Sequence, residues 1–166
     1  HIHDRRQRQM CIRDRINRTS TDKFEQEATG IAAGLQEAEN SGSLPSNINI
    51  EGFGNLMQID GNFDEKSSAK LYYHNGNWRA SYSVFSRGEI FDSAVTNSAG
   101  DMMPIAEMIT MNTTLSYKFN NNVRFKIGIN NIEDERAPLG RGFFGYKADT
   151  HRDLGRTYYT QITARF

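Results

Sequence analysis

The chain has 166 residues, which is room for one ordinary domain. Its 20 lysines and arginines balance its 20 aspartates and glutamates, so no net charge recruits nucleic acid or an acidic membrane surface. The single cysteine, Cys11, excludes an internal disulfide. No apolar run approaches the roughly 20 residues of a membrane-spanning helix, although a strand of a transmembrane barrel needs only about 9 to 11 alternating residues.

The first stretch, residues 1–18, is basic and has neither helical nor strand periodicity. Its letters HIHDRRQRQMCIRDR resemble translated sequencing-adapter read-through, so we expect an artefact or a disordered terminus. A nucleic-acid arm and a metal site formed by His1, His3 and Cys11 are weaker alternatives, because these three candidate ligands have no fourth at a useful spacing. This segment therefore predicts no function.

Residues 19–64 are polar and irregular, with the breaker SGSLPSN in the middle. The spacing of Ile31, Leu35 and Ala38 is close to helical, which predicts a short helix inside a long loop. The segment has no catalytic pattern.

Residues 65–166 change character and alternate. SSAKLYYH ends at NGN, an Asn-Gly hairpin signal, and NWRASYSVFSR follows at once. The second run places Trp78, Ala80, Tyr82 and Val84 on one face and Arg79, Ser81, Ser83 and Phe85 on the other. The two runs predict an antiparallel hairpin.

Three more strands follow, separated by connections of unequal length. A loop of about twenty residues precedes MITMNTTLSYKF, the turn NNN leads into VRFKIGIN, and a second long loop precedes the closing GRTYYTQITARF. Each of these runs has one apolar face. The layout is therefore tight turn, long loop, tight turn, long loop and final strand.

Alternation alone does not separate a soluble sandwich from a membrane barrel. Long strands, the asymmetry between short and long connections, and aromatic residues near strand ends favour an outer-membrane barrel. The apolar faces then meet lipid, and Arg79, Lys118, Arg124 and Lys126 meet a polar lumen. The reverse orientation would place cations in lipid, at a cost of about 2 to 4 kcal/mol each near the midplane.

The final ninety or so residues resemble the C-terminal end of a TonB-dependent outer-membrane receptor. The penultimate strand of that family commonly ends in an Asn-Leu-Phe-Asp-like element followed by proline, and here residues 129–138 are INNIEDERAP. Its last strand commonly opens with Gly-Arg and an aromatic pair and closes on phenylalanine, as GRTYYTQITARF does. WRASYSVFSR, residues 78–87, is similar to another strand of the family.

The resemblance implies an all-β fold, a fragment of an antiparallel transmembrane β-barrel. We expect an open, curved sheet of about five strands with long extracellular loops, in the cell outer membrane of a Gram-negative bacterium. The implied function is energised uptake of a scarce extracellular ligand, such as a siderophore, a cobalamin-like molecule or a glycan, and not catalysis. Tyr158, Ile162 and Phe166 would form the signal that the barrel-assembly machinery recognises.

The implied partners are outer-membrane lipid, the extracellular small-molecule ligand, and the TonB complex, which would act through an N-terminal plug and box that this sequence lacks. The lumen-facing candidates for ligand contact are Arg79, Asn112, Arg124 and Asn130, although such residues also serve simply to solvate a barrel wall. A passive porin-type barrel and a soluble β-sheet binding module are the alternatives.

Three patterns suggest other chemistry without supporting it. GRGFFG, residues 140–145, matches a dinucleotide-binding motif but lacks the strand and helix that the motif requires. EDER, residues 133–136, is typical of a solvated turn. His74 and His151 lie far apart in the sequence, and neither accompanies a motif with a serine or cysteine nucleophile. We therefore predict no cofactor, no metal site, no catalytic residue and no binding of nucleic acid.

Overall fold

The computed structural model describes residues 10–45, 52–97, 99–141 and 144–165. Within these ranges the secondary structure consists of ten strands and one helix. In chain order they are β1 Cys11–Ser20, β2 Glu25–Gln26, α1 Ile31–Asn40, β3 Gly54–Asn55, β4 Glu65–Asn75, β5 Trp78–Arg87, β6 Ile90–Thr96, β7 Met102–Ile105, β8 Met108–Lys118, β9 Val123–Asn130 and β10 Thr157–Ala164.

Six strands form one antiparallel sheet in the order β1-β4-β5-β8-β9-β10. The five strands predicted from alternation are all in this sheet, and each pairs with its neighbour in chain order. The expectation of an all-β antiparallel fold is confirmed. The sheet is open, with β1 and β10 at its two edges.

Both predicted tight turns are present. The β4–β5 turn consists of Gly76 and Asn77, and Gly76 has a φ of 58°, a left-handed conformation that glycine adopts without strain. In the β8–β9 turn the side-chain oxygen of Asn120 accepts hydrogen bonds from the backbone N–H groups of Asn122 and Val123, both at 2.8 Å. Local turn chemistry thus determines both hairpins.

Strand β1 differs from the expectation for residues 1–18, because the structure pairs Cys11–Ser20 with β4 over its whole length. An unpaired strand edge presents backbone donors and acceptors, which another segment satisfies with little demand on its side chains. The side chains of β1 accordingly do not keep one face apolar, as those of the other strands do. Asp14 lies opposite Leu71, on the face that the other strands keep apolar. Residues 1–9, with the proposed ligands His1 and His3, lie outside the described residues.

The predicted short helix is present as α1, Ile31–Asn40. None of its residues is buried, and it packs against no strand in the described part of the chain. It therefore does not cover the sheet.

The buried apolar side chains of the described residues lie at the loop end of the sheet, opposite the tight turns. They are Phe63, Ile90, Ile105 and Met108. Residues 52–64, 88–97, 99–107, 131–141 and 144–156 meet at this end, and we call them the loop cap. One of its links is a short parallel bridge, in which Phe91 donates to Gln58 at 2.6 Å and accepts from Asp60 at 3.0 Å. The described parts of the loops are thus linked to one another, and the first long loop contains the β6–β7 hairpin.

Candidate functional site

The strand register gives the sheet two chemically different faces. One face, called here the apolar face, is formed by residues whose side chains align from strand to strand, for example Leu71, Tyr82, Thr113, Ile129 and Tyr158. Its large side chains remain exposed: Leu71 is 47 % exposed and Tyr158 is 69 % exposed.

The opposite face, called here the cationic face, has basic side chains and, in the described strands, no carboxylate. Strands β4, β5, β8 and β9 contribute Lys66, Lys70, Arg79, Arg87, Lys118, Arg124 and Lys126, and β1 adds Arg13 and Arg15. The only acidic residue in β4, β5, β8, β9 and β10 is Glu65, which lies on the other face and pairs with Arg18 at 2.8 Å. The balanced charges of the chain are therefore separated, with the acidic residues lying mostly outside the strands.

Aromatic rings and hydroxyls separate the cations on this face. The Lys126 ammonium lies 5.3 Å from the centre of the Tyr159 ring, and the Lys70 ammonium lies 5.4 Å from that of Phe85. Such cation–π contacts hold long side chains against the sheet while leaving their charge able to interact with a ligand.

The loop end of the cationic face contains a concave pocket of about 480 Å³. Residues of β1, β4, β5 and β8 form its wall, and Arg152 of the loop cap also lines it. Its lining residues are Asn17, Thr19, Lys66, Ser67, Ser68, Phe85, Ser86, Arg87, Met108, Thr110 and Arg152. Among the described residues, the lining thus contains three cations, several hydroxyls and no carboxylate.

Two of the pocket's cations are held in place by neighbours. Arg87 donates through Nη1 to the carbonyl oxygen of Thr150 at 2.6 Å, which ties the strand end to the loop cap. The Lys66 ammonium lies 4.5 Å from the centre of the Phe63 ring. Neither contact neutralises the positive charge, so the pocket is suited to an anionic group.

The four predicted ligand-contact residues share the cationic face but are not brought together. Asn112 and Asn130 lie near the loop end, where Asn112 Oδ1 accepts the backbone N–H of Asn131 at 2.8 Å. Arg79 and Arg124 lie toward the tight turns, and Arg124 lines a smaller concavity of about 160 Å³. None of the four lines the larger pocket.

Sequence reasoning missed Lys66, Arg87 and Arg152. Lys66 and Arg87 lie on the polar face of their strands, at the loop end, so the alternation of the sequence could have identified them. Arg152 lies in an irregular loop, and no sequence signal indicates its position. For the proposed assembly signal, Tyr158 and Ile162 lie on the apolar face, and Phe166 lies outside the described residues.

A second polar cluster lies inside the loop cap, around Lys147. Its ammonium is 2.8 Å from Asp60 Oδ1 and 3.5 Å from Asp92 Oδ1. Burial by itself raises the pKa of Asp60, but hydrogen bonds from Lys147 and Ser93 together lower it below its ordinary value. Burial lowers the pKa of Lys147, but the surrounding carboxylates raise it above its ordinary value. The cluster is an ion pair that connects separate loops.

His151 is buried beside this cluster, at 1 % exposure. Its Nδ1 lies 2.9 Å from Thr150 Oγ1, and Nε2 has no hydrogen-bond partner among the described residues. Burial, with the nearby Arg87 charge, lowers the pKa of this imidazole. His74 lies at the opposite end of the sheet, beside Gly76, so the two histidines do not form one site.

The EDER segment is a structural junction. Arg136 binds both carboxylate oxygens of Asp153, at 2.7 and 2.5 Å. The carboxylate of Asp134 accepts the backbone N–H of Arg156 at 2.6 Å, just before β10. Asp134 and Arg136 therefore join the segment after β9 to the segment before β10.

The described residues contain no group of three potential metal ligands and no helix long and apolar enough to cross a membrane. In the GRGFFG segment, the Gly140 N–H donates to the Gly145 carbonyl oxygen at 3.1 Å, and the described residues of the segment belong to no strand or helix. Gly142 and Phe143 lie outside the described residues. No family model, curated protein or solved structure matches the chain.

Proposed function

We propose that this chain is part of the barrel wall of a TonB-dependent outer-membrane receptor, which takes up a scarce extracellular ligand by an energised mechanism. The observation that carries this proposal is the pairing of an exposed apolar face with a cationic face on one antiparallel sheet. Lipid would contact the first face, and a polar lumen would contain the second.

The amount of exposed surface supports an external apolar partner. The chain exposes 12,700 Å². A folded soluble monomer of 18.9 kDa would expose about 8,300 Å² by the usual scaling. Leu115 and Ile127, central on the apolar face, are 40 and 41 % exposed, and no other described element covers them. Such a face requires a partner, because burying apolar area is the main favourable term in folding.

The dimensions and ends of the strands also fit a bilayer. Strands β4 and β8 have 11 residues each. At about 3.4 Å per residue and a tilt near 45°, such a strand spans about 26 Å, close to the apolar band of an outer-membrane barrel. At the tight-turn end the rings of Trp78 and Tyr117 lie 4.6 Å apart, and those of Tyr117 and Phe119 lie 5.0 Å apart. Clustered aromatic residues at this level are typical of a membrane interface.

The two motifs that resemble the receptor family also contact each other. Asp134, from INNIEDERAP, accepts the backbone N–H of Arg156, from GRTYYTQITARF, at 2.6 Å. This contact supports the proposal that the two motifs belong together at the C-terminal end of such a barrel. On this proposal, the remaining strands, the plug and the TonB box belong to sequence beyond this chain, and the barrel-assembly machinery recognises Tyr158, Ile162 and Phe166.

The single tryptophan, Trp78, allows a direct test of the membrane orientation. In a Trp78→Phe background, Tyr82→Trp places the probe on the apolar face, and Ser83→Trp places it one residue further along β5, on the cationic face. Both variants are folded into phosphatidylcholine vesicles containing lipids brominated near the chain ends. We expect strong quenching of tryptophan fluorescence for Tyr82→Trp and little for Ser83→Trp.

Equal quenching of the two variants would contradict the proposed orientation. A chain that folds without detergent or lipid, with neither probe quenched, would favour the soluble β-sheet module instead. Sequencing the genomic locus upstream of Ile16 separates the receptor from a passive porin. We expect a reading frame with a plug domain and further alternating strands, and a porin would lack the plug.

A further inference from the structure

We infer that the ligand of this protein is a small polyanion, bound through carboxylate or phosphate oxygens in the loop-end pocket by Lys66, Arg87 and Arg152. The assignment of this ligand as transported cargo rests on the proposed receptor function. The binding chemistry itself rests on the pocket.

The charge of the pocket has no internal compensation. None of the described residues that line it is acidic. Arg152 is exposed and makes no hydrogen bond or ion pair with another described residue. Arg87 is anchored to a neutral carbonyl oxygen, so its guanidinium keeps its charge and can still offer further N–H donors. Three converging cations would repel one another, and an anion between them would remove that repulsion.

The uncharged residues that line the pocket narrow the chemical class of the ligand. Ser68, Thr19 and Thr110 can donate hydrogen bonds to oxygen atoms, and Asn17 adds an amide. Phe85 and Met108 add apolar surface to the lining. Oxyanions bind most strongly where charged and neutral donors surround them in this way.

The size of the pocket limits the ligand to a small molecule. Its volume of about 480 Å³ falls within the range of about 300 to 1,000 Å³ typical of small-ligand sites. An extended polymer such as nucleic acid would require a continuous groove.

The rest of the cationic face provides a path toward the tight-turn end. Arg79 and Lys126 lie on either side of Ser116 in the sheet. Lys118, two residues further along β8, lies opposite Arg124. A wall that carries one sign of charge raises the local concentration of the opposite ion. The same field that attracts the ligand to the pocket would therefore guide it along the lumen.

The test measures binding of tripolyphosphate and of citrate to the 166-residue chain in zwitterionic micelles by titration calorimetry at low salt. We expect both anions to bind, and maltotriose and spermine not to bind. Lys66→Gln and Arg152→Gln should each weaken binding about tenfold. Lys23→Gln, which removes a loop cation outside the pocket, should change it less than twofold.

Equal affinity for maltotriose, or identical effects of Lys66→Gln and Lys23→Gln, would overturn the inference. So would an oligonucleotide that binds while the small anions do not, since that result identifies an extended polyanion. A further titration includes phosphatidylglycerol in the micelle. Unchanged affinity is expected for a free anion, whereas loss of binding would identify a lipid headgroup as the occupant and overturn the assignment.

The two proposals fail differently. Quenching of Tyr82→Trp by brominated lipid without anion binding would reject the ligand class and leave the membrane orientation intact. Anion binding without quenching would reject the receptor and leave the pocket as an anion site of a soluble module.

Discussion

The ring of Tyr159 on β10 lies directly over the backbone of Gly128 on β9, so that a side chain at position 128 would occupy the place of the ring. Lys126 completes the contact from the same strand as Gly128, with its ammonium over the same ring. A glycine in a strand leaves a gap in the sheet surface, and a neighbouring aromatic ring fills it. This packing holds the edge strand β10 against the sheet.

The substitution Gly128→Ala should destabilise the sheet by about 1 to 3 kcal/mol, because the new methyl group displaces the Tyr159 ring. The measurement is the free energy of unfolding in urea, followed by Trp78 fluorescence. In a Tyr159→Ser background the same substitution should cost much less. A cost that is unchanged in that background would show that the ring is not the obstacle.

Lys147→Met should destabilise the loop cap by about 2 kcal/mol, because it removes the ammonium that faces the carboxylates of Asp60 and Asp92. Hydrogen exchange of the loop amides measures this opening. Lys23→Met breaks an exposed ion pair with Glu25 and should cost less than about 0.5 kcal/mol. Equal effects of the two substitutions would reject a structural role for the Lys147 cluster.

The loop cap should lose stability as the pH falls below about 6.5. The pKa of His151 is lowered on folding from 6.5, so the unfolded chain binds the proton first. Its contribution is fully present above 6.5 and is lost as the pH falls toward the folded pKa. Unfolding in urea at a series of pH values measures this slope.

His151→Phe should flatten the stability curve in this window, since it removes the titrating group. His74→Phe, at the opposite end of the sheet, is the matched control variant. The Asp60 carboxylate adds a separate loss below its ordinary value of 3.8, because its pKa is lowered on folding and the ion pair is lost as the carboxylate is protonated. If His151→Phe does not alter the slope below pH 6.5, the assignment of that loss of stability to His151 is wrong.

The sequence alone determined the sheet and its two faces. Alternation in VRFKIGIN and GRTYYTQITARF follows from the two-residue period of a strand. Gly76 determines the β4–β5 turn and Asn120 the β8–β9 turn by local geometry. The same period separated Arg79 and Arg124 from the apolar residues. These features depend on neighbours along the chain.

The tertiary structure alone decided how the loops meet and where the cations converge. Lys147 reaches Asp60 across 87 positions in the sequence, and Arg87 meets Thr150 across 63. No local period encodes such contacts, because irregular loops have no repeating relation between sequence position and direction in space. The pairing of β1 was equally invisible, since an open strand edge accepts backbone partners whatever their side chains. Local periodicity thus determined the sheet and its two faces, and long-range packing of the loops formed the pocket.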